Sequence, residues 1–182
     1  PKLKTTAGAS STEHTPAFFT MRIVHFSDIH LGAWTRDVTA LFDKRILGLV
    51  NYVLRRRHRL HETYLDNALA RITELKPDTI ICTGDLTCVG SPEEFERAER
   101  KLKPLVTGTD ADFLYVPGNH DTYVRRASCR RSLEHVFHVL NNQRRRLSDL
   151  PRRLATEHAD LCLVNECRPT SIFLSCGVVD AT

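Results

Sequence analysis

The stretch that decides the fold is an apolar strand ending in a polar turn, Tyr115-Val116-Pro117-Gly118-Asn119-His120-Asp121. The Pro-Gly pair ends the strand, and the turn then presents an amide, an imidazole and a carboxylate in consecutive positions. Two other stretches share this design, Ile23-Val24-His25-Phe26-Ser27-Asp28-Ile29-His30 and Thr79-Ile80-Ile81-Cys82-Thr83-Gly84-Asp85. Three apolar strands that end in such side chains indicate one shared site.

Strands and helices alternate along the rest of the chain. Strands are predicted at 22–27, 79–82, 113–116, 161–164 and 172–174, and helices at 41–59, 62–75, from Ser91 onward and at 130–146. In the third of these helices Ser91 is the predicted N-cap and Pro92 lies in the first turn. The alternation predicts an α/β domain with a largely parallel sheet, in which the chemistry gathers beyond the carboxyl ends of the strands.

The length and composition of the chain fit a single globular domain. The 182 residues are 41% hydrophobic and 26% charged, with a net charge of +4 that favours anionic partners without choosing among them. Residues 1–20 are rich in Thr, Ser and Ala, and Met21, the only methionine, directly precedes the first strand. We therefore expect a disordered leader or extension over 1–20 and the domain over 21–182.

The cysteines and the hydropathy indicate an intracellular protein. None of the six cysteines forms a Cys-x-x-Cys pair, and Cys82 and Cys162 lie in apolar strands, which favours reduced, buried thiols. No apolar run approaches the roughly 20 residues of a membrane span. We expect a cytoplasmic location, at most peripheral at the inner face of the membrane.

The side chains at the strand ends have the chemistry of metal ligands. Asp28 and His30 lie two residues apart, so in an extended segment they point to the same side and can reach one divalent ion. Asp85 has two oxygens and can bridge two ions, and Asn119 offers an amide oxygen to the second. His120 can act as an acid, with Asp121 orienting its ring. The mixed oxygen and nitrogen set favours two divalent ions of Mn, Fe, Zn or Co.

Asp28-x-His30, Gly84-Asp85 and Gly118-Asn119-His120-Asp121 together resemble the first three blocks of the calcineurin-like metallophosphoesterases. The resemblance covers about residues 21–177 and implies a two-sheet α/β sandwich with a dinuclear metal centre. It implies that Asp28, His30, Asp85 and Asn119 bind metal and that His120 and Asp121 are catalytic.

The sequence departs from the family's pattern downstream. The family's last blocks, a lone histidine and a Gly-His-x-His, have no counterpart here, since no histidine follows His158. The resemblance therefore implies only the N-terminal portion of the fold, inactive by itself.

The substrate stays open among phosphodiesters and pyrophosphates, nucleotide or lipid-linked. The apolar segment 41–59 with Arg55, Arg56 and Arg57 favours membrane or lipid contact, as in UDP-diacylglucosamine pyrophosphohydrolases, which resemble this sequence alongside cyclic-nucleotide phosphodiesterases. A nuclease or DNA-binding protein is the alternative, in which arginine pairs and triplets contact phosphates; these are Arg125-Arg126, Arg130-Arg131, Arg144-Arg145-Arg146 and Arg152-Arg153. An inactive half-domain is the remaining interpretation.

Overall fold

The fold alternates strands and helices, which confirms the predicted α/β class. The computed structural model describes residues 21–33, 62–156, 159–169 and 177. Its elements are β1 (Ile23–Phe26), α1 (Glu62–Leu75), β2 (Thr79–Cys82), α2 (Pro92–Thr107), β3 (Asp112–Tyr115), α3 (Ala127–Leu140), a 3-10 turn (Leu147–Asp149), β4 (Arg152–Ala155) and β5 (Asp160–Leu163). The predicted leader 1–20, helix 41–59 and strand 172–174 lie outside these residues. Among the described helices, none combines the length and apolar character needed to cross a bilayer.

The first sheet aligns the three sequence motifs along one edge. Its strand order is β1-β2-β3, and both pairings are parallel. Phe26 pairs with Cys82, and Cys82 pairs with Tyr115, so the three strands end level with one another. Their carboxyl ends therefore deliver the residues that follow them to the same place.

The core lies between this sheet and the helices α2 and α3. Ile80, Phe113 and Tyr115 of the sheet are fully buried with Phe95 of α2 and Phe137 of α3. Burying an aliphatic or aromatic side chain of this kind stabilises the fold by roughly 1.5–3 kcal/mol. This packing fixes the strand ends against a rigid support.

The start of α2 follows the sequence prediction in detail. Ser91 caps the helix by accepting a hydrogen bond from the backbone N–H of Glu94, and the Glu94 side chain in turn accepts from the backbone N–H of Ser91. This capping box satisfies two backbone donors that the first helical turn leaves without intrahelical partners. Pro92 occupies the first turn, where its missing N–H costs nothing.

Helix α3 is shorter than the predicted helix 130–146, because Asn142 and Gln143 have positive φ angles of 56° and 57°. The two asparagines after the helix bond to the edge of the sheet instead. The side chain of Asn141 accepts from the backbone N–H of Tyr115 at 3.1 Å, and that of Asn142 accepts from the N–H of Phe113 at 3.0 Å. Their amides thus take the place of a neighbouring strand along β3.

Strands β4 and β5 form an antiparallel hairpin. Strand β5 was predicted from the sequence, but β4 was not. Arg152 pairs with Leu163 and Ala155 with Asp160, and most β4 side chains are exposed. Arg153, expected in a phosphate-contacting set, forms an exposed ion pair with Asp160.

Two other assignments from the sequence were wrong. Arg145, also expected to contact phosphates, is buried and bonds Asp112 with both guanidinium NH groups, at 2.9 and 3.3 Å. Cys162, expected to be buried, is exposed, whereas Cys82 is buried as predicted, and burial raises its pKa to about 12.

Candidate metal centre

Three side chains from the three motifs converge beyond the sheet. One potential ligand atom each from His30, Asp85 and His120 lie within 4.8 Å of one another. The rings of the two histidines meet edge to face with their centres 4.8 Å apart. The alignment of the strand ends therefore brings together residues that are 90 positions apart in the chain.

The loops after β1 and β2 are joined by backbone hydrogen bonds. The N–H groups of Asp28, His30 and Leu31 donate to the carbonyls of Gly84, Asp85 and Leu86 at 3.1, 3.0 and 2.7 Å. The parallel pairing thus continues past the ends of the strands, through the motifs themselves. It is possible because Asp28, His30 and Asp85 adopt the left-handed conformation, with φ angles of 58°, 44° and 53°.

The glycines of the second and third motifs allow the two loops to touch. A Cβ on Gly84, whose φ is +89°, would lie 2.0 Å from the backbone nitrogen of Gly118. A Cβ on Gly118 would lie 2.2 Å from a carboxylate oxygen of Asp85. In the space so left, Asp85 accepts a hydrogen bond from the backbone N–H of His120 at 2.9 Å.

Both histidines are oriented by consecutive backbone carbonyls of one loop. Nδ1 of His30 lies 3.1 Å from the carbonyl oxygen of Thr87, and Nδ1 of His120 lies 2.7 Å from that of Cys88. A carbonyl can only accept, so Nδ1 carries the proton in each ring. In the neutral rings Nε2 then carries the lone pair, as a metal ligand requires.

Asp121 does not hold the ring of His120 as the sequence analysis expected, because Cys88 occupies that position. Asp121 is 3% exposed, and its oxygens accept from the Thr87 hydroxyl and the Tyr115 hydroxyl at 2.9 Å and from the N–H groups of Thr87 and Gly118 at 3.0 Å. Burial raises the pKa of Asp121, and these hydrogen bonds oppose the rise. Since Thr87 carries the carbonyl that bonds His30, Asp121 is connected to the histidine of the first motif.

Asp28 and Asn119 lie on the open side of the cluster. Asp28 Oδ1 is 3.6 Å from Nε2 of His30, and the Asp28 side chain is 64% exposed. Asp28, Asp85 and Asn119 all line a cleft of about 510 Å³. Asp85 thus belongs both to the histidine cluster and to the cleft, the position that a bridging carboxylate needs.

The β4–β5 hairpin and the residues after it form a further wall of the cleft. Leu161, Leu163, Glu166 and Cys167 line it there. The pKa of the Cys167 thiol is raised to about 11 by its burial and by the negative charges of Glu166, Asp85 and Asp121. No role for this wall was predicted from the sequence.

The donor set fits a divalent cation. Nε2 of His30, the carboxylates of Asp28 and Asp85 and Nε2 of His120 are all acceptors when the rings are neutral. Their approach is repulsive until a metal ion lies among them or His120 takes up a proton. Imidazole and carboxylate together suit Mn, Fe, Zn or Co. The carbonyls of Thr87 and Cys88 could not be predicted as partners, because every residue has a carbonyl and only the fold aims these two.

Two groups of residues remain from the sequence prediction: three candidate contact arginines and two histidines. Arg55, Arg56 and Arg57 lie outside the described residues. His135 and His138, which the sequence analysis kept out of the site, lie on α3 and bond Glu99 and the carbonyl of Arg145.

Comparisons with known proteins agree with this fold. The family model described as calcineurin-like phosphoesterase matches residues 21–168. A component of the nuclease SbcCD from Escherichia coli is 27% identical over 157 residues, 85% of this chain and 35% of that protein. A cAMP/cGMP dual specificity phosphodiesterase of Mycobacterium tuberculosis is 28% identical over 101 residues, 54% of this chain and 26% of its own length. The chain thus spans between about a quarter and about a third of the length of the curated relatives it matches.

Proposed function

The chain belongs to the calcineurin-like phosphoesterase family, and on that premise we propose that it carries the metal-binding and acid–base residues of a hydrolase that cleaves phosphodiesters of nucleotides through two divalent ions. The observation that carries the proposal is the convergence of His30, Asp85 and His120, with both rings held through Nδ1. A ligand cluster without a chemical purpose would not need two imidazoles fixed in the same tautomer.

The proposed ligands divide between the two sides of Asp85. Asp28 and His30 hold the first ion, Asp85 bridges and Asn119 holds the second, on the side of the cleft. When bound, two such ions activate a water molecule and neutralise charge on the phosphoryl group. Asp85 suits the bridging position because the N–H of His120 fixes one of its oxygens.

His120 is the proposed proton donor and phosphate contact. Its ring is stacked on that of Tyr123, with a centroid distance of 5.7 Å and an angle of 3° between the planes. With Nδ1 held by Cys88, the ring can present only Nε2 to a substrate. A protonated Nε2 can donate to a phosphoryl oxygen or to the departing alkoxide. Asp121 contributes by holding the turn rather than by touching the ring.

The substrate class is proposed from the relatives and from the cleft. One relative is named as part of a nuclease and the other as a phosphodiesterase of cyclic nucleotides, so a phosphodiester joined to a nucleoside is common to both. The cleft is lined by Leu161 and Leu163 as well as by Asp28 and Asp85, so an organic group can contact the leucines while its phosphate lies near the carboxylates. The nuclease is the second candidate, and its relative matches the larger share of this chain.

Metal binding and turnover test the proposal together. We expect the chain to bind Mn²⁺ in calorimetric titration, and Asp85→Asn to weaken binding by at least about tenfold, because the bridging charge is lost. Asp160→Asn, on the exposed face of the hairpin, is the matched control and should bind as the wild type does. Equal Mn²⁺ affinity in Asp85→Asn and the wild type would contradict the assigned centre.

Substrate preference is measured with Mn²⁺ present on bis(p-nitrophenyl) phosphate, cyclic AMP and a DNA oligonucleotide. Turnover of cyclic AMP favours the small phosphodiester, and DNA cleavage that falls steeply with salt favours the nuclease. The expectation that this chain alone is inactive remains a prediction and is tested here too. Lipid or membrane contact through 41–59 has no support in these findings and is not proposed.

A further inference from the structure

One short loop orients both histidines of the candidate centre. In this loop, which lies between β2 and α2, the carbonyl of Thr87 accepts a hydrogen bond from His30, and the carbonyl of Cys88 accepts one from His120. A displacement of this loop would therefore turn both imidazoles at once. The position of the two carbonyls depends on what holds each end of the loop.

Asp121 and the backbone of the third motif hold the beginning of the loop. Asp121 accepts from both the N–H and the hydroxyl of Thr87, and the oxygen of that hydroxyl lies 3.2 Å from the carbonyl oxygen of His120. Gly90 packs on that motif, since a Cβ there would lie 2.9 Å from the carbonyl oxygen of Asp121. These contacts fix the loop from the side of β3.

Glu94 holds the end of the loop from the first turn of α2. One of its carboxylate oxygens accepts from the backbone N–H of Val89 at 2.9 Å and from that of Ser91 at 3.2 Å. The bond to Ser91 belongs to the capping box, but the bond to Val89 does not, and Val89 directly follows Cys88.

Glu94 is deeply buried for a carboxylic acid, with 2% of its surface exposed. A cap at the surface could satisfy the same helix N–H groups without the cost of burying a carboxyl group. The buried position instead places one side chain between the helix and the loop after β2, whose carbonyls orient both histidines.

We propose that Glu94 is a positioning residue of the metal centre: by fixing the N–H of Val89 it sets the carbonyls that keep His30 and His120 in the Nδ1–H tautomer. The proposal rests on the proposed function for its effect on metal affinity. Its effect on the rings does not require a metal. Glu94 touches neither substrate nor metal and acts only through the loop.

The decisive measurement is the protonation of the ring nitrogens. In the ¹⁵N-labelled chain without metal, long-range ¹H–¹⁵N spectra should show Nδ1–H for both His30 and His120, with the signals assigned through His30→Gln and His120→Gln. We expect Glu94→Ala to convert one or both rings to a mixture of tautomers and to weaken Mn²⁺ binding about tenfold. Glu96→Gln, an exposed change on the same helix, should leave both readouts unchanged.

The outcomes separate positioning from simple stability. A folded Glu94→Ala protein with wild-type tautomers would overturn the proposal even if its melting temperature were lower. If Glu94→Ala does not fold, Glu94→Asp decides: it keeps the charge but is one methylene too short for Val89, so the same change of tautomer is expected, and wild-type rings would again overturn the proposal. If the wild-type chain binds no Mn²⁺, the proposed function fails, while the metal-free spectra still decide the role of Glu94.

Discussion

The cleft has two walls of opposite character. On one side the loops after β1, β2 and β3, together with the first turn of α2, bury polar side chains that are fully hydrogen bonded: Thr87, Glu94 and Asp121 are 0%, 2% and 3% exposed. On the other side the β4–β5 hairpin is held by contacts such as the ion pair of Arg153 and Asp160, whose side chains are 72% and 52% exposed. The motif loops carry every candidate ligand, and the hairpin carries residues that line the cleft.

This difference separates what must be rigid from what can vary. Ligands have to be held to within a fraction of an ångström, and buried hydrogen bonds provide that because breaking any of them leaves a polar group unsatisfied. A wall that only contacts the organic part of a substrate tolerates change. We therefore expect substitutions in the motif loops to be costly and matched substitutions in or beside the hairpin to be nearly silent.

The largest effect is expected from Gly84→Ala. A Cβ would collide with the backbone of Gly118 and would impose a left-handed φ on alanine, so we expect a loss of about 4 kcal/mol in the free energy of unfolding in urea. Gly177→Ala is the comparison, since the atoms nearest its Cβ would be side-chain atoms of the exposed Glu166 at 3.2 Å rather than backbone. Equal losses of stability in both variants would contradict the expected difference between the motif loops and the region of the hairpin.

Asp121→Asn should have the second-largest effect, a loss of about 3 kcal/mol in the free energy of unfolding. The amide would place a donor against at least one of the groups that now donate to the carboxylate, leaving a buried N–H or hydroxyl without an acceptor. Asp149→Asn, at an exposed carboxylate that caps a short turn, is the comparison. Urea midpoints that differ by less than the error would show that the hydrogen bonds of Asp121 matter little.

We expect Glu94→Gln to have a smaller effect on stability, and one that depends on pH. Burial raises its pKa from an ordinary 4.5 to about 7, against the lowering effect of the backbone bonds to Val89, Ser91 and Ala33. Between those values the folded state binds more protons than the unfolded state, so its contribution is fully present below pH 4.5 and is lost as the pH rises through 7. The difference in unfolding free energy between wild type and Glu94→Gln should fall by about 2 kcal/mol from about pH 5 to about pH 7.5. A constant difference would mean that Glu94 keeps an ordinary pKa.

The smallest effect is expected in the hairpin itself. Arg153→Ala removes one partner of an exposed ion pair, which is worth less than about 0.5 kcal/mol. The thermal midpoint should therefore stay within the error of the wild type. A loss above about 1 kcal/mol would show that the hairpin wall is as constrained as the motif loops.

Local signals explain which parts of this structure could be predicted from the sequence. The strands before each motif, helix α1 and the Ser91 cap follow from periodicity and from side chains that bond within four residues. The end of α3 could not be placed, because Asn141 and Asn142 leave the helix to bond strand β3, a partner distant in sequence.

The candidate site divides in the same way. Asp28, His30, Asp85, Asn119 and His120 were identified because their side chains carry recognisable chemistry. The partner of His120 was missed because it is a backbone carbonyl, and Arg145 was misread because its partner Asp112 lies 33 residues away. A sequence shows which groups can react but not which backbone atoms will face them.

The left-handed conformations of Asp28, His30 and Asp85 have a consequence for any attempt to improve the protein. Such angles cost a non-glycine residue about 1–3 kcal/mol each, and glycine would relieve that cost at all three positions. A directed-evolution experiment that selects for heat resistance alone would therefore enrich replacements at the very positions proposed to bind the ions. Selection for thermostability in this chain has to be coupled to a screen for metal retention, or it will remove the centre one ligand at a time.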